Sequence, residues 1–230
     1  MHSAVQTTGE DGLEEPMPGA VPPTQAAWDL VGSWLAEDLA VSAARLRGED
    51  LGCLSPSAAT GALLRLLAAT RQARAVVEVG TGVGVTGAWL LAGMAAEGVL
   101  TTIDMEADHQ RAARETFEGL GVPHARVRMI LGRAPEVLPR LTDEAYDMVV
   151  LDTEPTDLPA IVPEAARLLR DGGLLVIINA LDGGRVADPN HRDVGTQARR
   201  DLTGMLRSSE GFVPALLTVG EGALVAARRR

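Results

Sequence analysis

The sequence predicts an α/β protein: a doubly wound, mostly parallel sheet of seven strands with an N-terminal helical extension. Three observations predict it. Short runs rich in Val, Ile and Leu alternate with segments of helical periodicity from Ala75 to Ile178. Such alternation implies a parallel sheet covered on both faces. A glycine-rich turn follows the first run, and the last two runs are joined by Gly220-Glu221-Gly222. That joint is a hairpin signal, so the sheet should end in an antiparallel edge.

Residues 1–23 are rich in Gly, Pro, Glu and Thr and are expected to form a disordered tail, since they cannot bury enough surface to order themselves. A helical pattern starts at Thr24, where Trp28, Val31, Leu35 and Leu39 recur at helical spacing with Glu37 and Asp38 off the stripe. A second helix opens at Ser55-Pro56, with Ser as N-cap and Pro in the first helical position. Its stripe is Leu63, Leu66 and Leu67. Strands are expected at 75–79, 99–104, 126–130, 147–152 and 174–178. Helices fall at 85–96, 107–118, 158–169 and 194–207, with a short one at 135–141. Two strands, 212–219 and 223–228, close the chain. No internal repeat interrupts this order. Residues 24–230 are therefore expected to form one domain, with helices over 24–72 and an α/β core over 73–230.

Composition narrows the function. The 230 residues carry a formal net charge of −10 and are 46% hydrophobic, enough for one sizeable core. Aromatics are only 3%, so Ala, Leu and Val must fill that core. All 21 basic residues are Arg, which excludes the P-loop lysine and Schiff-base catalysis. An acidic chain lacks the basic footprint of a nucleic-acid binder, and Arg228, Arg229 and Arg230 read as a frayed end. The single cysteine, Cys53, excludes an internal disulfide and a Cys-cluster zinc site. No run of about 18 uncharged apolar residues offers a membrane span. The N-terminus has early acids and no signal-peptide pattern, so a cytoplasmic protein is expected.

The segment Val77-Glu78-Val79-Gly80-Thr81-Gly82-Val83-Gly84-Val85-Thr86-Gly87 joins the first strand to its helix. Glycines let that backbone turn tightly and approach a ligand. It lies at the carboxyl end of a strand, where open α/β sheets bind ligands. Plain helix–strand packing is the alternative. Two cofactors compete for the loop. Gly82-x-Gly84-x-x-Gly87 fits the dinucleotide fingerprint of an NAD-dependent dehydrogenase. Glu78, however, sits near the strand end, where a carboxylate repels pyrophosphate and suits the ammonium or sulfonium of S-adenosylmethionine. Asp104 ends the next strand, where an acid accepts the ribose hydroxyls of either cofactor. Its alternative is a helix N-cap.

Further motifs follow in order. Glu78-Val-Gly-Thr-Gly-Val-Gly84, Thr102-Ile103-Asp104, Tyr146-Asp147-Met-Val-Val-Leu-Asp152 and Leu168-Leu-Arg-Asp-Gly-Gly-Leu-Leu175 resemble successive motifs of the class I S-adenosylmethionine-dependent methyltransferases. Leu54-Ser55-Pro56, Gly132-Arg-Ala134-Pro-Glu-Val-Leu-Pro139 and Val219-Gly-Glu-Gly-Ala-Leu224 narrow the resemblance to the catechol and caffeoyl-CoA O-methyltransferases, over about residues 50–228. The resemblance implies a Rossmann-like homodimeric enzyme that moves a methyl group from S-adenosylmethionine to a hydroxyl of a small molecule. It implies that Leu54 touches the methionine end of the cofactor through its backbone. Glu78 and the backbone of Gly80, Thr81 and Gly82 would line the amino-acid moiety, with the Thr86 hydroxyl near its carboxylate. Asp104 would take the ribose, Ala134 would offer its N–H to adenine, and Asp152 would face the reacting methyl group.

Two features of that family are missing. Its divalent ion is held by the strand-four Asp and an Asp-Asn pair after strand five. Here the pair reads Ile178-Asn179, which leaves Asp152 and Asn179 and no full oxygen triad. Asp182 could substitute only if its loop folded back. The family's lysine lies three residues past the strand-four Asp, where this chain has Pro155. Asp152 becomes the candidate general base, with His191, in the loop 188–193, as the second. His109 and His124 read as surface residues. The broken metal triad also admits a non-catalytic cofactor-binding protein. The acceptor pocket is expected from the N-terminal helices and the 181–194 loop.

Overall fold

The computed structural model describes residues 23–230; apart from its last residue, the expected tail lies outside the described residues. Three helices come first, α1 (Gln25–Ser33), α2 (Leu39–Asp50) and α3 (Ala58–Arg71). The α/β part follows as β1 (Ala75–Val79), α4 (Val85–Gly93), β2 (Val99–Asp104), α5 (Ala107–Gly119), β3 (Val127–Leu131), α6 (Ala134–Val137), β4 (Tyr146–Leu151), α7 (Leu158–Leu168), β5 (Leu169–Ile178), α8 (Val194–Arg207), β6 (Phe212–Leu217) and β7 (Ala223–Arg228). The seven strands form one sheet in the order β3-β2-β1-β4-β5-β7-β6. β1 to β5 run parallel, while β7 is antiparallel to both β5 and β6. The chain reverses its winding between β1 and β4, and such a switch point opens a ligand crevice at the strand carboxyl ends.

Alternation along the central strands divides the core into two layers. Val77, Val79, Val149, Leu151, Leu175 and Ile177 face a cluster completed by α7 and α8. Val76, Met148, Val150, Val176 and Ile178 face the other, completed by α3, α4 and α5. Both faces are covered, which is why these strands read as nearly continuous apolar runs.

The N-terminal helices differ from the sequence expectation. The stripe from Trp28 to Leu39 is split between α1 and α2. Asp38 starts α2 by accepting the Ala40 N–H at 2.8 Å, and a carboxylate cap there ends any continuous helix. Glu37 is engaged rather than solvated, accepting from Arg45 Nε at 2.6 Å and from the Trp89 indole at 3.0 Å. The next helix is capped by Ser57, not Ser55, because Ser57 Oγ accepts the Thr60 N–H at 3.2 Å. Its buried face is Gly61, Leu64 and Ala68, whereas Leu66 is exposed. Gly61 decides that rotation: a Cβ there would lie 2.4 Å from the Trp89 ring.

Two boundaries also shift. α4 stops at Gly93, which packs against the Arg65 carbonyl. β5 starts at Leu169 rather than 174, since Leu169 pairs with Tyr146 before the register slips around Gly172. Asp171-Gly172-Gly173 looks like a loop in the sequence but forms an irregularity inside a strand.

Candidate active site

At the carboxyl ends of β1, β2, β4 and β5 lies an open cleft of about 460 Å³. Its floor is the turn between β1 and α4. Gly80 has φ +93°, and a Cβ there would lie 1.9 Å from the Asp152 carbonyl oxygen. Only glycine allows that approach. The Asp152 N–H in turn donates to the Val79 carbonyl at 2.9 Å, so the turn and the end of β4 are held side by side.

Asp104 holds the opposite side. Its Oδ2 accepts the Gly82 N–H and its Oδ1 the Glu106 N–H, both at 2.9 Å. The N-cap position of α5 belongs to Glu106, so Asp104 is not the cap. It ties the glycine turn to β2 and still lines the cleft. His109, read as a surface residue, is a correction: its Nδ1 lies 3.5 Å from Asp104 Oδ1 and it lines the same wall. The first turn of α5 faces back over the strand end, a placement its sequence neighbours do not signal.

Glu78 lies behind this floor, fully buried. Its Oε2 accepts from Thr102 Oγ1 at 2.5 Å, and Thr102 is linked to Thr81 at 2.7 Å. Among the described residues its Oε1 has no partner. Burial pushes the carboxyl up to about 8, the Thr102 bond opposes this, and the charges of Asp152 and Asp104 add to it. An orphaned acid beneath a glycine turn fits a cationic ligand above it.

Leu54, Gly80, Gly82, Asp104, Ala134 and Asp152 all line the cleft. Thr81 is buried with its hydroxyl turned to Thr102. Thr86 is buried in the first turn of α4 and does not line the cleft. His191 is exposed in its loop and lies outside the cleft lining. Burial raises the Asp152 carboxyl to about 6; Glu221 adds to the rise and Arg199 opposes it.

A divalent ion is poorly served by these residues. Asp152 and Asn179 line the cleft, but Ile178 belongs to the apolar layer beside Val176. Asp182 does not fold back toward them. Its carboxylate is engaged by Thr196 Oγ1 at 2.6 Å and Arg185 Nη2 at 2.7 Å. Among the described residues no three His, Cys, Asp or Glu side chains gather as a metal site. The sequence reading missed Arg199, which reaches the cleft from α8. Nothing in the run Ala198-Arg199-Arg200 distinguishes it from its neighbour.

The sheet order, the glycine turn and the acids at the ends of β1, β2 and β4 define a class I S-adenosylmethionine-dependent methyltransferase. The chain belongs to the O-methyltransferase family, whose family model matches residues 35–229. A relative from Mycolicibacterium smegmatis, provisionally named an O-methyltransferase, is 48% identical over 84% of this chain and 92% of its own. The crystal structure of a Corynebacterium glutamicum protein, 37% identical, superposes with a TM-score of 0.81 over 87% of this chain and 94% of that one. The O-methyltransferase TomG of Streptomyces achromogenes, involved in tomaymycin synthesis and solved with S-adenosylmethionine, is 31% identical. It superposes with a TM-score of 0.80 over 88% of this chain and 95% of its own. The family sets aside the dehydrogenase alternative: this chain is an S-adenosylmethionine-dependent O-methyltransferase.

Proposed function

We propose that the cleft holds S-adenosylmethionine along the β1–α4 turn and serves methyl transfer to a hydroxyl of a small molecule, with Asp152 as general base. The observation that carries this reading is the acidity around the glycine turn. Asp104 and Asp152 flank it, and Glu78 beneath it has an oxygen without a partner. Pyrophosphate is repelled there, while a sulfonium and an ammonium are attracted. The S-adenosylmethionine bound to TomG supports the same ligand here.

Bound S-adenosylmethionine supplies a methyl carbon already activated for attack. The chain's own residues do the rest. The backbone of Leu54, Gly80, Thr81 and Gly82 holds the methionine end, Asp104 the ribose, and the Ala134 N–H the adenine. Asp152 accepts the hydroxyl proton and keeps a negative charge near the sulfonium. Thr86 and His191 have no part in this scheme, since Thr86 is buried within the first turn of α4 and His191 is exposed in the 188–193 loop. No step uses a divalent ion, because Ile178 cannot ligate one and Asp182 is engaged elsewhere.

Calorimetry in the presence of a chelator tests the reading. S-adenosylmethionine should bind with undiminished affinity and NAD should not bind. NAD binding without S-adenosylmethionine binding overturns it. A methyl-transfer screen over catechols, phenols and hydroxamates then identifies the acceptor.

We read residues 24–230 as one catalytic unit that acts as a homodimer in the cytoplasm. α1 has no buried residue and exposes Trp28, Leu30, Val31 and Trp34, an apolar surface that a second copy would cover. Light scattering should give twice the 24.1 kDa chain mass, and a monomer mass would refute the pairing. Among the described residues no helix is long and apolar enough to cross a membrane.

A further inference from the structure

Ionising a hydroxyl in this cleft places a new negative charge beside Asp152, Glu154 and Asp157, all of which line it. Glu221 acts on Asp152 from the β6–β7 turn with the same sign. An oxyanion in such surroundings needs a fixed positive charge, and the ligand set for a divalent ion is broken at Ile178.

Two arginines and a histidine line the cleft among the described residues, and two of the three stand against carboxylates of the cleft wall itself. Arg133 is more than half exposed beside Ala134 and pairs with Asp157 at 3.9 Å. His109 stands against Asp104. Arg199 differs from both. Its side chain is only 12% exposed, and its one charged partner is Asp182, at 3.7 Å. Among the described residues its guanidinium forms no hydrogen bond. The next residue on α8 has the opposite fate: Arg200 donates to the carbonyls of Val186, Asp188 and His191, each at 3.0 Å, and closes the 185–191 loop. Asp182 is itself held by Thr196 and Arg185, so Arg199 is aimed by a carboxylate that cannot follow it into the cleft. Asp152 and Arg199 both line the cleft, and among the described residues no ion pair joins them. A nearly buried guanidinium with unspent donors is a site for an oxyanion.

We propose that Arg199 is the oxyanion-binding residue of this enzyme and takes the acceptor's ionising oxygen through its guanidinium fork. This rests on the cleft being the methyl-transfer site. A planar fork of N–H donors matches two oxygens side by side. The hydroxyl proton passes to the Asp152 carboxylate as Arg199 binds the forming oxyanion. A lone pair on that oxygen forms the O–CH3 bond as the S–CH3 bond of the donor breaks, and the bonding pair stays on sulfur. The products are a methyl ether, a neutral thioether and a proton that leaves Asp152 for water.

The test uses 4-nitrocatechol as probe, because its ionisation is read by absorbance. Wild type, Arg199→Gln and Arg199→Lys are saturated with S-adenosylhomocysteine in the presence of a chelator, so that no turnover occurs. Wild type should bind the probe as its anion and lower its apparent pKa. Arg199→Gln should weaken anion binding at least about tenfold and abolish the shift. Arg199→Lys should keep part of it, with melting temperature and S-adenosylhomocysteine affinity unchanged. If the Gln variant does not fold, the comparison of Lys with wild type decides, since loss of the two-pronged fork alone should reduce the shift. An equal shift in all variants, a shift that needs added Mg²⁺, or no anion binding by wild type at millimolar probe overturns the proposal. Failure of wild type to bind S-adenosylhomocysteine would instead count against the methyl-transfer reading.

Discussion

Asp152→Asn should lower turnover by about 10²- to 10⁴-fold, the usual range for loss of a general base, while S-adenosylmethionine affinity changes far less. Asn keeps the shape and the hydrogen-bonding capacity of the side chain and removes its charge and basicity. The backbone contact that fixes the site survives, because it is the Asp152 N–H that donates to the Val79 carbonyl. Burial raises the carboxyl to about 6, with Glu221 reinforcing the rise and Arg199 opposing it. A base must be ionised to act, so wild-type turnover should rise as pH increases through about 6 and then level off. The variant should lose that limb. The measurement is a pH–rate profile on a confirmed acceptor, beside a cofactor titration of the same variant. Turnover within about threefold of wild type in a folded variant would remove Asp152 as the base.

The centre of the fold was legible because local rules and the global fold agree there. β1, β2 and β7 fall where apolar runs bounded by turn residues place them. α8 begins at Val194, where Asp193 offers a cap to Thr196. The N-terminal helices were less legible for a physical reason. The spacing from Trp28 to Leu39 continues across a break whose main signal is the cap at Asp38. The rotation of α3 is set by a partner far along the chain, since Trp89 needs the empty space at Gly61. The site divides in the same way. Glu78, Gly80, Asp104 and Asp152 sit at strand ends, so sequence order alone places them together. His109 and Arg199 reach the cleft from helix faces whose rotation only packing fixes. Arg199 and Arg200 are the same residue type in succession, and one helical step separates an open guanidinium from one spent on loop carbonyls.

Glu78→Gln should make the cofactor-free protein less sensitive to alkaline pH. The carboxyl is fully buried, its Oε1 has no partner, and its pKa is pushed up from 4.5 to about 8, chiefly by burial. An acid whose folded pKa is raised binds its proton more tightly in the folded state. Its contribution to stability is therefore complete below pH 4.5 and is lost as pH rises through about 8. At about 1.4 kcal/mol per unit, the loss is on the order of 5 kcal/mol, a large share of a domain's stability. Gln imitates the protonated form at every pH. The stability difference between variant and wild type should thus move in favour of Gln from pH 5 to pH 8.5, as read by denaturant melts. A cationic ligand reverses this logic, since it favours the ionised acid beneath it. S-adenosylmethionine binding near pH 7 should therefore release a proton from wild type and not from Glu78→Gln. Calorimetry in two buffers of different ionisation enthalpy measures that release. Parallel pH–stability curves for the two proteins, with equal proton release, would mean that the Glu78 carboxyl titrates alike in the folded and unfolded chains and that burial beneath the glycine turn does not raise it.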